Sequence, residues 1–237
     1  MIGVLGVRPG DAVMVHASLR RIGPVVGGAD GIIDALDLAV GERGTLVMLL
    51  GAEAGVVFDA LASPASAEVG ALAEVFRERQ GTLVTTNPEG RFAARGFAAE
   101  EVVRDQPWDD YFGPGSPLEW LIERNGRVLR LGANDDTTTL MHYAEYLVPL
   151  PEKRRVTRAR EVLIDGRVER RLVRCLDDEN GIVDWDGEDY FALALRAYRA
   201  AGRTRRGPFG RAEAEVLEAA DVVAFAVDWM STHLSAT

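Results

Sequence analysis

Short apolar runs and segments of helical period take turns along the first two-thirds of this chain, and that alternation confines it to the α/β class. The run "AVMVHAS" has the β-branched, apolar content of a buried strand. After the glycine-rich "GPVVGGADG", the segment "IIDALDLAV" repeats its apolar residues at helical spacing, and "TLVMLL" reads as a second strand. Then come a helix over "AEVGALAEVFRER", a short strand "TLVTT", a loop "NPEGRF" and a helix "AAEEVVRD". "GSPLEWLIERNG" carries its own punctuation: Ser116 as N-cap, Pro117 at the first helical position, Glu119 as the reciprocal carboxylate of a capping box and Asn125-Gly126 as the stop. "RVLRLG" is a strand, and "NDDTTTLMHYAEYLVP" reads as a loop and a helix that starts near Thr138 or Thr139 and stops before Pro149.

The character changes beyond Pro151. "REVLIDGRVERRLVRCL" interleaves apolar and charged residues as a β-hairpin turning at Asp165-Gly166. Two helices close the chain, "EDYFALALRAYRAAG" and "RAEAEVLEAADVVAFAVDWMSTHL", separated by the basic "RTRRGPFG". No internal repeat, low-complexity tract or linker divides it. The expected architecture is therefore a single domain over residues 1–237: a mixed sheet core flanked by helices, with a C-terminal β-hairpin and helical portion from about residue 152.

Composition narrows the function. About half the chain is apolar, enough for a large core, and the net charge of −10 argues against nucleic acid as a partner. The same charge suits a cleft that draws in a cationic ligand, with an attraction that weakens in salt. Cys175 is the only cysteine, which excludes an internal disulfide framework and a cysteine-rich zinc site and fits a reducing cytoplasm. The longest apolar runs, "TLVMLLGA" and "VVAFAV", are too short to cross a bilayer, and no signal peptide is visible. A soluble cytoplasmic protein with no membrane partner and no metal is expected.

Chemistry concentrates at three places. His142 and Glu145 are three residues apart on a predicted helix and share a face, so the carboxylate can orient the imidazole or sit beside it on a substrate; on spacing alone a surface pair is the commoner outcome. What raises their interest is the preceding loop, which leaves a strand at Gly132 and enters a helix where ligands of α/β sheets bind. Gly27 and Gly28 allow close backbone approach at a helix start, as phosphate binding requires, although the stretch is neither G-x-G-x-x-G nor a Walker A sequence and a plain turn serves equally. "LDDENGIVDWDGED" packs seven carboxylates into one segment, a solvated acidic loop or a cation-binding wall without the spacing of an EF-hand.

Together, "LGVRPGDAVMVHASLRRIGPVVGGADGIIDAL", "GERGTLVM", "GPGSPLEWL" and "RVLRLGANDDTTTLMHYAE" resemble the aminoglycoside 3-N-acetyltransferase family, and the likeness runs on to "GPFGRAEAEVLEAADVVAFAVDW". The resemblance implies transfer of acetyl from acetyl-coenzyme A to the 3-amino group of the 2-deoxystreptamine ring of an aminoglycoside, which confers resistance. It makes His142 the catalytic histidine of a T-x-x-H-x-A-E signature. It places the acidic partner in "LDDEN", with Asp177, Asp178 and Glu179 as candidates and Asp177 or Glu179 favoured. Coenzyme contacts carry over to Ser18, Leu19, Val26, Gly27, Gly28, Ser116 and Thr139, and antibiotic contacts to Glu145 and Asp178. The chain departs from the family pattern at Asn87, where a histidine is frequent, at Ala17, where a second serine is frequent, and at Leu49, where proline is common. An ammonium must lose a proton before it attacks a thioester, so His142 acts as base, with oxyanion donors sought around Ser18, the glycine loop and Thr139. Direct transfer in a ternary complex is expected, with Cys175 structural. The alternatives are the same fold acting on another amine, and a non-catalytic binder of cationic small molecules.

Overall fold

Strand β1 (Ala12–Ala17) lies at the centre of the sheet because both its faces are apolar: Val13 and Val15 pack into one core, Ala12 and Met14 into the other. The protein is described here from a computed structural model over residues 5–178 and 188–234. Helix α1 (Leu19–Ile22) follows β1 directly, then α2 (Gly28–Val40) and β2 (Thr45–Leu49). α3 (Ala71–Glu78), β3 (Leu83–Val84), β4 (Phe92–Gly96), α4 (Ala99–Val103), α5 (Pro117–Glu123), β5 (Arg127–Leu131) and α6 (Met141–Glu145) come next. The hairpin β6 (Arg155–Ile164) and β7 (Arg167–Leu176) precedes α7 (Tyr190–Ala200), β8 (Arg205–Phe209), β9 (Ala212–Glu218) and α8 (Ala219–His233).

The main sheet has seven strands in the order β3-β4-β2-β1-β5-β9-β8. β1 pairs in parallel with β2 and with β5, and every other pairing in the sheet is antiparallel. Helices α2 and α3 cover one face through Ile33, Leu36 and Phe76; α5, α6, α7 and α8 cover the other through Leu121, Met141, Leu195 and Met230. The mixed α/β sheet flanked by helices is thus as the sequence predicts.

Several elements differ from the sequence reading. "FAARG", expected in a loop and helix approach, is β4, paired residue for residue with β2. The last predicted helix begins as β9, and the basic stretch before it is β8, so the C-terminal segment completes the main sheet against β5. The long helix expected from Ala67 breaks at Gly70 (φ 89°), where an added Cβ would stand 3.3 Å from the carbonyl of Ala17. The helix bearing His142 is only five residues long. Ser116 is the N-cap of α5, but its hydroxyl makes no capping bond; Glu119 accepts instead from the Gly115 amide and from the Tyr143 hydroxyl. The hairpin turn forms as predicted, with Asp165 at φ 49° and Gly166 at φ 75°, the two left-handed residues of a type I′ turn.

Candidate active site

The loop after β5 is anchored before it reaches α6. Arg130 and Glu215 face each other across β5 and β9, both buried, and are ion-paired. Arg130 also donates to the carbonyl of Asn134, and Arg199 of α7 bridges Glu215 and Asp135. Burial alone pushes the Glu215 carboxyl up, but the two arginines outweigh it and hold it below the usual carboxylate range.

On α6, His142 Nδ1 lies 2.8 Å from Glu145 Oε2. Glu145 is almost wholly buried, and its other oxygen takes Lys153 Nζ at 2.7 Å and the Tyr190 hydroxyl. A carboxylate offers only lone pairs, so Nδ1 carries the hydrogen and Nε2 is left as the ring's acceptor. Phe112 stacks on the imidazole with centroids 4.9 Å apart and planes 9° apart, and Phe191 meets it edge-on at 4.7 Å. The ring is thereby fixed in tautomer and in plane, with a fifth of its side chain left open.

Asp178, at the end of β7, is the second carboxylate near this ring. Burial tends to raise its pKa, but the charge of a protonated His142 and that of Arg158 prevail and hold it low. Arg158 binds Asp178 at 2.6 Å and Asp177 at 3.1 Å, and the Tyr111 hydroxyl donates to Asp178 at 2.8 Å. The carboxylate bonded to the ring's Nδ1 among the described residues is Glu145, three residues along the same helix, and Asp177, one of the two favoured candidates, is bonded to Arg158. Glu179 lies outside the described residues. Of the rest of the acidic run, Asp178 also pairs with Arg158 and Glu188 pairs with Arg196, while Asp184 and Asp186 lie outside the described residues.

A cleft of about 390 Å³ opens where β1 and β5 end, lined by Ser18, Leu19 and Thr139 together with Gly70 and Asn134. Of the residues expected at the coenzyme, those three line it. Val26, fully exposed, and Gly27 and Gly28, at the head of α2, do not; nor does Ser116, buried at the start of α5 with an unpartnered hydroxyl. The Ser18 amide is spent on the Leu131 carbonyl at 2.9 Å, which removes it as an oxyanion donor. Asn87 has a structural role: it donates to the carbonyls of Pro107 and Trp108 and accepts from the amides of Glu89 and Gly90. Cys175 is buried, and its thiol is pushed up to about 11, chiefly by burial. Among the described residues no cluster of three His, Cys, Asp or Glu side chains is placed to hold a metal ion, and no helix is long and apolar enough to cross a membrane. Lys153, Tyr190, Phe112 and Phe191 escaped the sequence reading because no local spacing ties them to His142.

His142 is not itself in the cleft's lining but follows Thr139 of its wall by three residues; a carboxylate-held imidazole with an acceptor nitrogen is suited to deprotonating a nucleophile, and on this fold it defines an acyltransferase. A family model described as aminoglycoside 3-N-acetyltransferase matches residues 14–231. The chain belongs to that family. Aminoglycoside N(3)-acetyltransferase VII of Streptomyces paromomycinus is 38% identical over 255 residues, covering 97% of this chain and 88% of its own. Two solved structures are similar throughout. AAC-IIIb in binary complex with CoASH superposes with a TM-score of 0.94 at 35% identity, covering 98% of this chain and 94% of its own. AAC-VIa bound to sisomicin gives 0.91 at 30% identity, covering 98% and 95%.

Proposed function

We propose that this protein moves the acetyl group of acetyl-coenzyme A onto the 3-amino group of the 2-deoxystreptamine ring of an aminoglycoside, with His142 as the general base, and so confers resistance. The observation that carries the reading is the bond from His142 Nδ1 to the buried Glu145, which leaves Nε2 to accept a proton. The CoASH bound to AAC-IIIb and the sisomicin bound to AAC-VIa, both on the same fold, support the two substrates.

The substrate ammonium gives a proton to Nε2, the lone pair so freed attacks the thioester carbonyl, and the second proton that the attacking nitrogen must shed to become an amide passes to solvent. The C–N bond forms as the carbonyl π electrons move to oxygen. The tetrahedral intermediate collapses with loss of the C–S bond, and the sulfur leaves with the proton returned by His142. Glu145 and Asp178 stabilise the imidazolium formed in between. The Thr139 hydroxyl, on the cleft wall, is the side-chain donor to the oxyanion among the expected donors. Transfer is direct, because a buried thiol that titrates near 11 is a poor acyl carrier at neutral pH.

His142→Ala should lower kcat with sisomicin by about 10²- to 10⁴-fold while CoASH binding survives. Thiol release and titration calorimetry read the two quantities, and NMR of the product reports the nitrogen acetylated. Undiminished turnover in the variant, or acetyl on another nitrogen, overturns the proposal.

A further inference from the structure

Carboxylates from two separate segments converge on one guanidinium close to the catalytic ring. Arg158, on the same face of β6 as the buried Val162, lies 2.6 Å from Asp178, 3.1 Å from Asp177 and 3.4 Å from Glu89, and it donates to the Tyr111 hydroxyl at 3.0 Å. Glu89, in the loop between β3 and β4, is also 3.5 Å from Arg160. Two aromatic contacts join this cluster to His142. Tyr111, bonded to Asp178, packs edge-on against Phe112 at 4.7 Å, and Phe112 stacks on the imidazole. Burial tends to raise the Asp178 carboxyl, and the charge of a protonated His142, ahead of that of Arg158, opposes it. The cluster is within reach of a ligand, because 16% of the Arg158 side chain and 19% of Asp178 stay open to solvent.

A polycation that brings one nitrogen to His142 therefore finds these neighbouring carboxylates already matched. Glu145 is held by Lys153, and Asp177, Asp178 and Glu89 are held by Arg158. A guanidinium spreads its N–H donors over several acceptors at once, whereas an ammonium is a point charge, so a substrate ammonium does not displace Arg158 and instead meets its repulsion where water screens poorly. A hydroxyl escapes that cost. Among the described residues Asp178 Oδ1 takes Arg158 and Oδ2 takes Tyr111, and each carboxylate oxygen has a further lone pair for an O–H donor.

We infer that Arg158 determines acceptor specificity: it stands where a second ammonium of a polycationic acceptor would bind, and so selects amines flanked by hydroxyl groups over amines flanked by further ammonium groups. This rests on the acetyl transfer proposed above and narrows its acceptor class. The net charge of −10 draws a cation to the protein, and Arg158 decides which neighbour of the reacting nitrogen is tolerated.

The test uses acceptor pairs in which a single hydroxyl replaces an amino group on the sugar attached beside the 3-amino group: kanamycin A against kanamycin B, and paromomycin against neomycin. Wild-type protein should favour the hydroxyl member of at least one pair about tenfold in KM, the scale of one unfavourable charge contact. Arg158→Gln should erase that preference by lowering the KM of the amino member, and Arg158→Lys, which keeps the charge, should retain most of it. An arginine with a purely structural role would lower kcat for both members alike and leave the ratio of KM values unmoved. Should the glutamine variant fail to fold, Arg158→Gln/Asp177→Asn keeps the balance of charge and still opens Asp178, and the same loss of preference is expected. The inference is overturned if the wild type treats both members of both pairs equally, or if the preference survives loss of the charge at position 158. Titration calorimetry with the same pairs separates this inference from the reaction. Wild-type protein that binds the hydroxyl member more tightly through Arg158 yet releases no thiol would sink the proposed reaction and leave the inference standing. Thiol release whose acceptor preference ignores residue 158 would do the reverse.

Discussion

Glu145 has two oxygens with different neighbours: one fixes His142, and the other is held by Lys153 and Tyr190. Burying this carboxylate costs several kcal/mol unless every lone pair is matched, and here the lysine supplies the charge and the tyrosine a further donor. Lys153→Met removes the charge while keeping much of the volume. It should destabilise the protein by about 3 kcal/mol, as removal of one partner of a buried pair does, and should lower kcat at least tenfold because the ring loses its fixed support. Urea denaturation and steady-state kinetics check the two effects, and a variant with wild-type kcat would show that the lysine is merely structural. The dyad was legible in the sequence because three residues on a helix share a face. Its support was not: Lys153 arrives from the loop before β6 and Tyr190 from the head of α7. The resemblance pointed to the acidic run for the partner; within that run Asp177 and Asp178 pair with Arg158, and Glu179 lies outside the described residues.

At the scale of elements, the sequence disclosed the parallel centre and concealed the edges. β1 and β2 are apolar on both faces, β5 adds Val128, Leu129 and Leu131 beside its two arginines, and all three read directly as buried strands. β9 is built from "AEAEVLE", good helix formers whose strand character comes from the open edge of β5, and β4 from "FAARG", which has no β-branched residue and pairs because β2 offers its edge. This mistaken element is what steadies the site, because β9 carries Glu215 to the two arginines that hold the loop before α6. Glu215→Ala leaves Arg130 buried without a counter-charge. It should cost about 3 kcal/mol of stability and, by loosening residues 133–139, reduce kcat as well. Chemical denaturation with a parallel activity assay measures both, and an unchanged midpoint would deny the network its anchoring role.

For the whole molecule, acid brings two opposed effects. Protonation reduces the net charge of −10 and relieves self-repulsion, which favours the folded state. Buried His16 acts the other way. Burial first, and the neighbouring charge of Arg130 second, lower its pKa from 6.5 to about 3. Between those two values the unfolded chain binds a proton that the folded chain refuses, so stability is full above about pH 6.5 and declines as pH falls, by up to about 1.4 kcal/mol per pH unit. Asp178 and Glu215 are shifted downward in the fold, so their contributions persist until the pH approaches the ordinary carboxylate range near 4. The interval from pH 6.5 to 5 lies above the carboxylates, and within it the comparison with a variant at position 16 isolates this ring. Wild-type protein should lose about 2 kcal/mol across it, whereas His16→Gln, which keeps a polar side chain but cannot titrate, should lose well under half as much. Urea unfolding at pH 6.5 and pH 5.0 makes the comparison directly. Parallel losses in the two proteins would mean that the ring at position 16 takes up its proton in the folded state, and a rise in wild-type stability would mean that relief of charge repulsion governs the molecule.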